Sequence, residues 1–468
     1  MIQRTLREVE TMVEGYGLKK ENADISIKGV CIDSRQIEAG QLFVPIVGER
    51  FNGHKFVKEA IKRGAVATIW NKNEPIPNIE IPIILVDDTL TAIQQLAKSY
   101  RQQLNVKIIG ITGSNGKTST KDILASLLQT QYRTHKTFGN LNNHLGVPLT
   151  ILELEENTEM GVIEMGMSNT GEIELLTSIA SPDAAVITNI GEAHLEELKT
   201  KENIVKAKLE ILKGLKSNGL FVYFGDDPLL DGKVKSIDID YGEITFGHNF
   251  SNTYQPVIES VEEKGILFRL KMHDYPSFFL PMLGKHQMYN ATAAIAVARH
   301  FGISFENIQK GLLKVEATGM RNELIHTGKY TILNDSYKSN PTSVLAALDT
   351  LYSIKNYSQK IVILGDMNGL GAGEIKMHEE IGVNIDATEI DYLFTLGPLA
   401  GYIARAARTR FQENRVFSCT SKAQLIRKLK KIIKDQCIIL VKGSRELRLE
   451  EIVDELSNKG TLRTKEVI

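Results

Sequence analysis

The sequence predicts an α/β protein of three domains, two of them built on parallel sheets. Three observations predict it. Short β-branched runs alternate with amphipathic helical segments in two separate stretches of the chain. An interval of alternating, antiparallel-like strands separates those stretches. The length of 468 residues suits about three units of ~150 residues each.

The first block, residues 1–87, holds the short strands GQLFVPIVG and AVATIW and the helix FVKEAIKRGA. A polar connector, NKNEPIPN, lies near its end, and the helix TLTAIQQLAKSYRQQ leads out of it. The central block, residues 88–314, runs VKIIGITG then KDILASLLQT, GVIEMG then EIELLTSIA, AAVITNI then IVKAKLEILKGL, and LFVYFG. Strands alternating with helices predict a parallel sheet covered on both faces. From about Glu243 to Tyr275 the pattern becomes antiparallel-like, and a helix returns in HQMYNATAAIAVARHFG. The third block, residues 315–468, repeats the rhythm in YTILNDSY, KIVILGDM, IDYLFTLG and CIILVKGS. Ligands of open parallel sheets sit at the carboxyl ends of the strands, where Asp335, Asp366 and Lys442–Arg445 fall. A cleft between two α/β domains is expected.

Composition excludes several classes. With 56 basic and 57 acidic residues, the formal net charge is −1. Such a chain has no global field for nucleic acid or an anionic membrane surface. Cys31, Cys419 and Cys437 stand far apart without a Cys-x-x-Cys pair and read as reduced core thiols. The N-terminus is too charged for a signal peptide, and no apolar stretch reaches the ~20 residues of a membrane span. The expectation is a soluble cytoplasmic protein that neither binds nucleic acid nor inserts into membranes.

Chemistry enters with ITGSNGKTST, residues 111–120, behind the apolar run VKIIG. A strand, a glycine-rich turn and a helix N-terminus make a phosphate cradle: Gly113, Ser114, Asn115, Gly116, Lys117, Thr118 and Ser119 present backbone N–H groups, and glycine lets the backbone come close. Lys117 would neutralise outer phosphates and Thr118 would hold Mg²⁺. The spacing departs from the standard Walker form, because Gly110 comes one residue early. The central domain is therefore P-loop ATPase-like. Glu164 and His194 lie at or just past strand ends on the same sheet edge. They are either Mg²⁺ ligands or a solvated acid and a helix cap, and local pattern favours neither. Lys206 and Lys208 flank Ala207 on a helix, and by spacing both read as solvent-facing. Asn290 and Arg321 lie near the domain junction. Asp335 after a strand can bind ribose hydroxyls, and Tyr337 can either stack on a base or pack in the core. Asp33, Ser34 and Arg35 read locally as turn chemistry.

DSRQIEAGQLFVPIVGE, TGSNGKTSTKD, NLNNHLGVPLTIL, VIEMG, ITNIGEAHLE, AKLEI, GKHQMYNATAAIAVA, DSYKSNPTSVLAAL, ILGDM and VKGSRELRLEEIV occur in this order over nearly the whole chain. In them the chain resembles the Mur ligase family, in particular the members that add D-alanyl-D-alanine to a UDP-muramoyl tripeptide in peptidoglycan synthesis. The resemblance implies an N-terminal domain for the uridine nucleotide, a central ATPase domain and a Rossmann-like C-terminal domain. It implies ATP and Mg²⁺ as cofactors, an acyl-phosphate intermediate and a monomer. By the same likeness Lys208 matches a lysine that is carbamylated to bridge Mg²⁺, and Glu164 and His194 match Mg²⁺ ligands. Asn290, Arg321, Asp335 and Tyr337 match nucleotide contacts. Asp33, Ser34, Arg35, Asn142 and Asn143 match the side of the UDP-linked substrate. Four positions depart from the family's pattern: Lys338 stands where asparagine is usual, Gly369 where glutamate is, Thr170 where histidine is common, and Asn52 where aspartate is. These departures leave open a different amine acceptor or nucleotide-linked substrate.

Overall fold

The computed structural model describes residues 1–48, 51–237, 240–262, 264–271 and 275–457. The end of the third block, residues 458–468, lies outside the described residues. Two six-stranded sheets dominate. The central one has the order Gly242–Phe246, Leu220–Phe224, Ala184–Ile187, Lys107–Thr112, Met160–Glu164, Thr134–Lys136, with every neighbouring pair parallel. Successive residues of a strand face opposite sides of a sheet, and the cores obey this. Ile108, Ile163, Ala185 and Ile187 join one buried cluster, while Ile109, Ile111, Val162 and Val186 join the other. Burial on both faces is why these strands read as continuous apolar runs.

The second sheet has the order Glu323–His326, Tyr330–Asp335, Cys437–Lys442, Gln359–Gly365, Tyr392–Leu396, Val416–Cys419. Its first pair is antiparallel and the rest are parallel. The N-terminal sheet is a four-stranded parallel one: Val30–Cys31, Leu42–Phe43, Ala67–Asn71 and Ile83–Val86. The first block does not stand apart. Ile2, Leu6 and Val9 share a core cluster with Ile108, Val147 and Ile163 of the central domain, and the Ile2 amide donates to the Leu152 carbonyl at 2.7 Å.

Two expectations are corrected. GQLFVPIVG gives only the strand Leu42–Phe43. The segment 242–246 begins no antiparallel sheet; it is the parallel edge strand of the central sheet, exposed where it starts and buried at Phe246. The antiparallel unit follows it, as Gln255–Glu262, Gly265–Lys271 and Phe278–Leu280. Among the described residues no helix is long and apolar enough to cross a membrane.

The helix Lys117–Leu128 sits under the central sheet, and from Thr118 on its residues are all buried. It packs against the helix Lys285–His300, whose Ala291, Ala294 and Ala298 permit a close approach. That approach brings Asn290 onto the phosphate loop: a Cβ at Gly116, where φ is +80°, would lie 2.3 Å from Asn290 Oδ1. Only glycine meets both demands.

At the opposite edge of the sheet, Asp183 ties two strands together. Its carboxylate accepts from the Ile108 amide at 3.0 Å, Lys107 Nζ at 2.9 Å and Lys216 Nζ at 3.1 Å. Burial alone would push its pKa up, but these donors hold it below the usual carboxylate range. A depressed carboxylate stabilises the fold at neutral pH, and that contribution vanishes as pH falls through the folded-state pKa. Asp183→Ala is expected to lower stability by about 3 kcal/mol at neutral pH and to flatten the acid limb of the stability curve. Urea unfolding as a function of pH measures both.

Candidate active site

The carboxyl ends of the central strands and those of the second sheet face one another across a cavity of about 470 Å³. The phosphate loop forms its floor. The Ser114 amide donates to the Asn189 carbonyl at 3.0 Å and the Asn115 amide to Asn189 Oδ1 at 2.9 Å. Thr188 Oγ1 and Asn189 Nδ2 both donate to the Asn115 carbonyl, at 2.5 and 2.8 Å. The loop is therefore held from the neighbouring strand, and its shape does not depend on a ligand. Lys117 Nζ folds back onto the Gly113 carbonyl at 2.7 Å.

Of the residues singled out in the sequence, Gly113 to Ser119, Asn142, Asn143, Glu164, His194, Lys208, Asn290, Arg321, Asp335 and Tyr337 all line this cavity. Asp33, Ser34 and Arg35 do not. They form a loop of the N-terminal domain, where Arg35 pairs with Asp33 at 2.8 Å and Ser34 Oγ donates to Glu59 at 3.1 Å. The two lysines that spacing left equal are now distinct. Lys206 is exposed, whereas Lys208 is 2% exposed and turns into the cavity. The expectation of a solvent-facing Lys208 is thus corrected; packing of its helix against the sheet decides which lysine turns inward.

Electrostatics set the character of the site. Burial, then the charges of Lys338 and Arg321, bring Lys117 down to about 7, with Glu164 opposing them. Burial, Lys117 and Lys338 hold Lys208 well below the ordinary lysine value. His194 falls to about 3, through burial and the three lysines 338, 117 and 208, and is neutral at pH 7. Asp335 is paired with Lys442 at 2.7 Å. Arg321 lies over the Tyr337 ring at 4.3 Å, and its buried Nε has no hydrogen-bond partner. Met320 and Asn322 on either side of it have positive φ, a sparsely populated conformation that aims the guanidinium inward.

One metal position fits the residues present. Asn142 Nδ2 donates to Glu164 Oε1 at 2.8 Å, leaving buried Oε2 without a hydrogen bond. Lys121 Nζ lies 3.9 Å from that oxygen, beyond hydrogen-bond reach. Thr118 is also buried in the loop. An orphaned carboxylate oxygen and a threonine hydroxyl lining one cavity suit a hard divalent cation that shares phosphate oxygens. Among the described residues no cluster of three His, Cys, Asp or Glu could bind a metal alone.

Contacts from the second sheet's domain close the cavity. Asn340 Nδ2 donates to Asn115 Oδ1 at 2.8 Å, and Asn115 Nδ2 donates back at 3.3 Å. Thr342 Oγ1 donates to Glu192 at 2.5 Å. Lys338 Nζ lies 2.9 Å from His194 Nε2. In the sequence, Lys338 was visible only as a departure, and nothing marked Asn340 as a partner of the loop. Both contacts join residues more than a hundred positions apart.

Similarity to known proteins follows the same architecture. Residues 26–101 match the Mur ligase family catalytic domain, residues 111–298 the Mur ligase middle domain, and residues 320–445 the Mur ligase glutamate ligase domain. The chain is 47% identical over 457 residues to UDP-N-acetylmuramoyl-tripeptide--D-alanyl-D-alanine ligase of Bacillus subtilis (strain 168), covering 97% of this chain and 99% of the relative. A crystal structure of MurF from Acinetobacter baumannii superposes with a TM-score of 0.86 at 30% identity, over 98% of this chain and 99% of that one. MurF ligase from Thermotoga maritima, solved in complex with ADP, superposes with a TM-score of 0.79 at 28% identity, over 92% of this chain and 97% of that one. With its three domains matched in order and a relative of this identity over nearly its full length, the chain belongs to the Mur ligase family.

Proposed function

We propose that this chain is an ATP-dependent amide ligase that joins D-alanyl-D-alanine to a UDP-N-acetylmuramoyl tripeptide in the cytoplasm, for peptidoglycan synthesis. The observation that carries the reading is the cavity between the two sheets, where a phosphate loop meets a surplus of basic side chains. The names of the relatives supply the substrates.

A carboxylate is a poor acyl donor. Its oxygen attacks the γ-phosphorus of ATP, the bond to the bridging oxygen breaks, and ADP leaves. The acceptor's free amine then attacks the acyl carbon; phosphate leaves and the amine gives up a proton. Loop amides from Gly116 to Ser119 and the Lys117 ammonium hold the phosphates. Asn290 and Arg321 on Tyr337 bound the nucleoside end, and Asp335 faces the ribose. Bound through Thr118 and Glu164, Mg²⁺ would neutralise charge between the outer phosphates. Closure of the Asn115–Asn340 contact excludes water, which would otherwise consume the activated acyl group.

Lys208 has the state that carbamylation needs. Burial, Lys117 and Lys338 favour its neutral amine, whose lone pair can attack CO₂, forming an N–C bond and releasing a proton. The resulting carbamate would be stabilised by the lysines that disfavoured the ammonium. The uridine end falls to Asp33, Ser34 and Arg35, and the reacting carboxylate to the side of Asn142 and Asn143. A monomer is part of this reading.

Phosphate release from ATP should require both the UDP-muramoyl tripeptide and D-alanyl-D-alanine. Release with the tripeptide and a different amine would reassign the acceptor; release with no amine and tripeptide pair would overturn the reading. Lys208→Ala should lower turnover by about 100-fold or more. It should also remove the carbamate carbon signal that wild type shows by NMR in labelled bicarbonate. Unchanged turnover would sink the assignment of Lys208.

A further inference from the structure

The two departures of the C-terminal domain, Lys338 and Gly369, converge on one segment. His194 begins the short helix Leu195–Leu198 with a left-handed φ of 66°. Lys338 Nζ lies 2.9 Å from its Nε2, and the Gly369 carbonyl accepts from the Glu196 amide at 3.0 Å. Gly369 has φ +74°, a conformation that glycine adopts without strain. The segment is therefore clasped from the other domain at a side chain and at a backbone amide.

The clasp decides what His194 can do. A neutral imidazole has one lone pair. Its Nδ1 faces Glu197 at 3.9 Å, and Nε2 points to the Lys338 ammonium. A nitrogen that accepts a hydrogen bond along its lone pair cannot donate that pair to a metal. A dication at the same place would also meet an ammonium within a few ångströms. The backbone that carries Lys338 is anchored at this place. Its carbonyl accepts from Lys442 Nζ at 2.8 Å, and two residues on Asn340 is bonded to the phosphate loop. At Glu164 the Lys121 ammonium stands 3.9 Å from Oε2, but that oxygen accepts no hydrogen bond and keeps its lone pairs for a cation.

We propose that the Lys338 ammonium fills the position in front of His194 Nε2 and faces the transferred phosphate there, so that this cavity takes one divalent ion with its nucleotide and none at His194. The inference rests on ATP occupying the cavity. His194 then acts as a positioning residue that holds the ammonium. No bond is made or broken by Lys338; its charge offsets that of the phosphate as it leaves ADP.

The test is Mn²⁺ binding in the presence of a non-hydrolysable ATP analogue, with bound nucleotide and bound Mn²⁺ counted together by calorimetry and electron paramagnetic resonance. Wild type should bind one Mn²⁺ per nucleotide. Lys338→Asn and Lys338→Met should bind a second, which His194→Ala combined with either should abolish. Lys338→Arg, which keeps the cation, should stay at one. Nucleotide stoichiometry in the same titration reports whether each variant is folded. Two Mn²⁺ per nucleotide in wild type, or one in both Lys338→Asn and Lys338→Met with full nucleotide binding, overturns the inference and leaves the ATP reading standing. Failure of the analogue to bind wild type overturns both.

Discussion

Like charges crowded into a shared, partly buried space are the constraint on which the rest of this structure depends. Lys117 and Lys208 come from the central domain, Arg321 and Lys338 from the next, and all four line one cavity. Asp335 is already taken by Lys442, and Glu164 is the carboxylate that acts on Lys117 against the basic groups. Burial and mutual repulsion press the three lysines toward their neutral forms and keep His194 neutral. A cavity of this kind is at odds with itself until a polyanion enters. The same charges that repel one another across the domain junction then attract one ligand from both sides.

Neutral contacts hold the junction against that repulsion. The paired amides of Asn115 and Asn340 and the Asn322–His286 contact both cross it. They are short-range and directional, so they specify the closed geometry without adding charge to it. The phosphate loop needs no such help, because Thr188 and Asn189 brace it from within its own sheet. The result is a braced phosphate cradle facing cations supplied by both domains. Activation of a carboxylate without loss to water asks for that division.

How much of this was legible in the sequence follows the range of each interaction. The phosphate loop was legible because strand, turn and helix are contiguous and each residue type has a local reason. The parallel sheets were legible because burial on both faces writes itself as apolar runs. Lys208 was not: its helix carries Lys206 two positions away, and only packing against the sheet decides which lysine is buried. Glu164 was half legible, since a strand end announces an acid but not the Asn142 contact that orphans one oxygen. Lys338 was visible as an oddity and no more, because its partner lies 144 residues away. Asp33, Ser34 and Arg35 entered through resemblance alone, and their loop lies outside the cavity.

The crowding of charge is tested most directly by the protons that accompany nucleotide binding. Calorimetric titration with ADP and Mg²⁺, at a pH above the Lys117 midpoint of about 7, in buffers of different ionisation enthalpy, counts them. Phosphate oxygens raise the pKa of the lysines they meet, so binding should take up protons, and the uptake should fade below that midpoint where Lys117 is already charged. Binding with no proton uptake on the alkaline side would mean that these lysines are ordinary ammonium groups in the free protein, and that the cavity is not loaded as described.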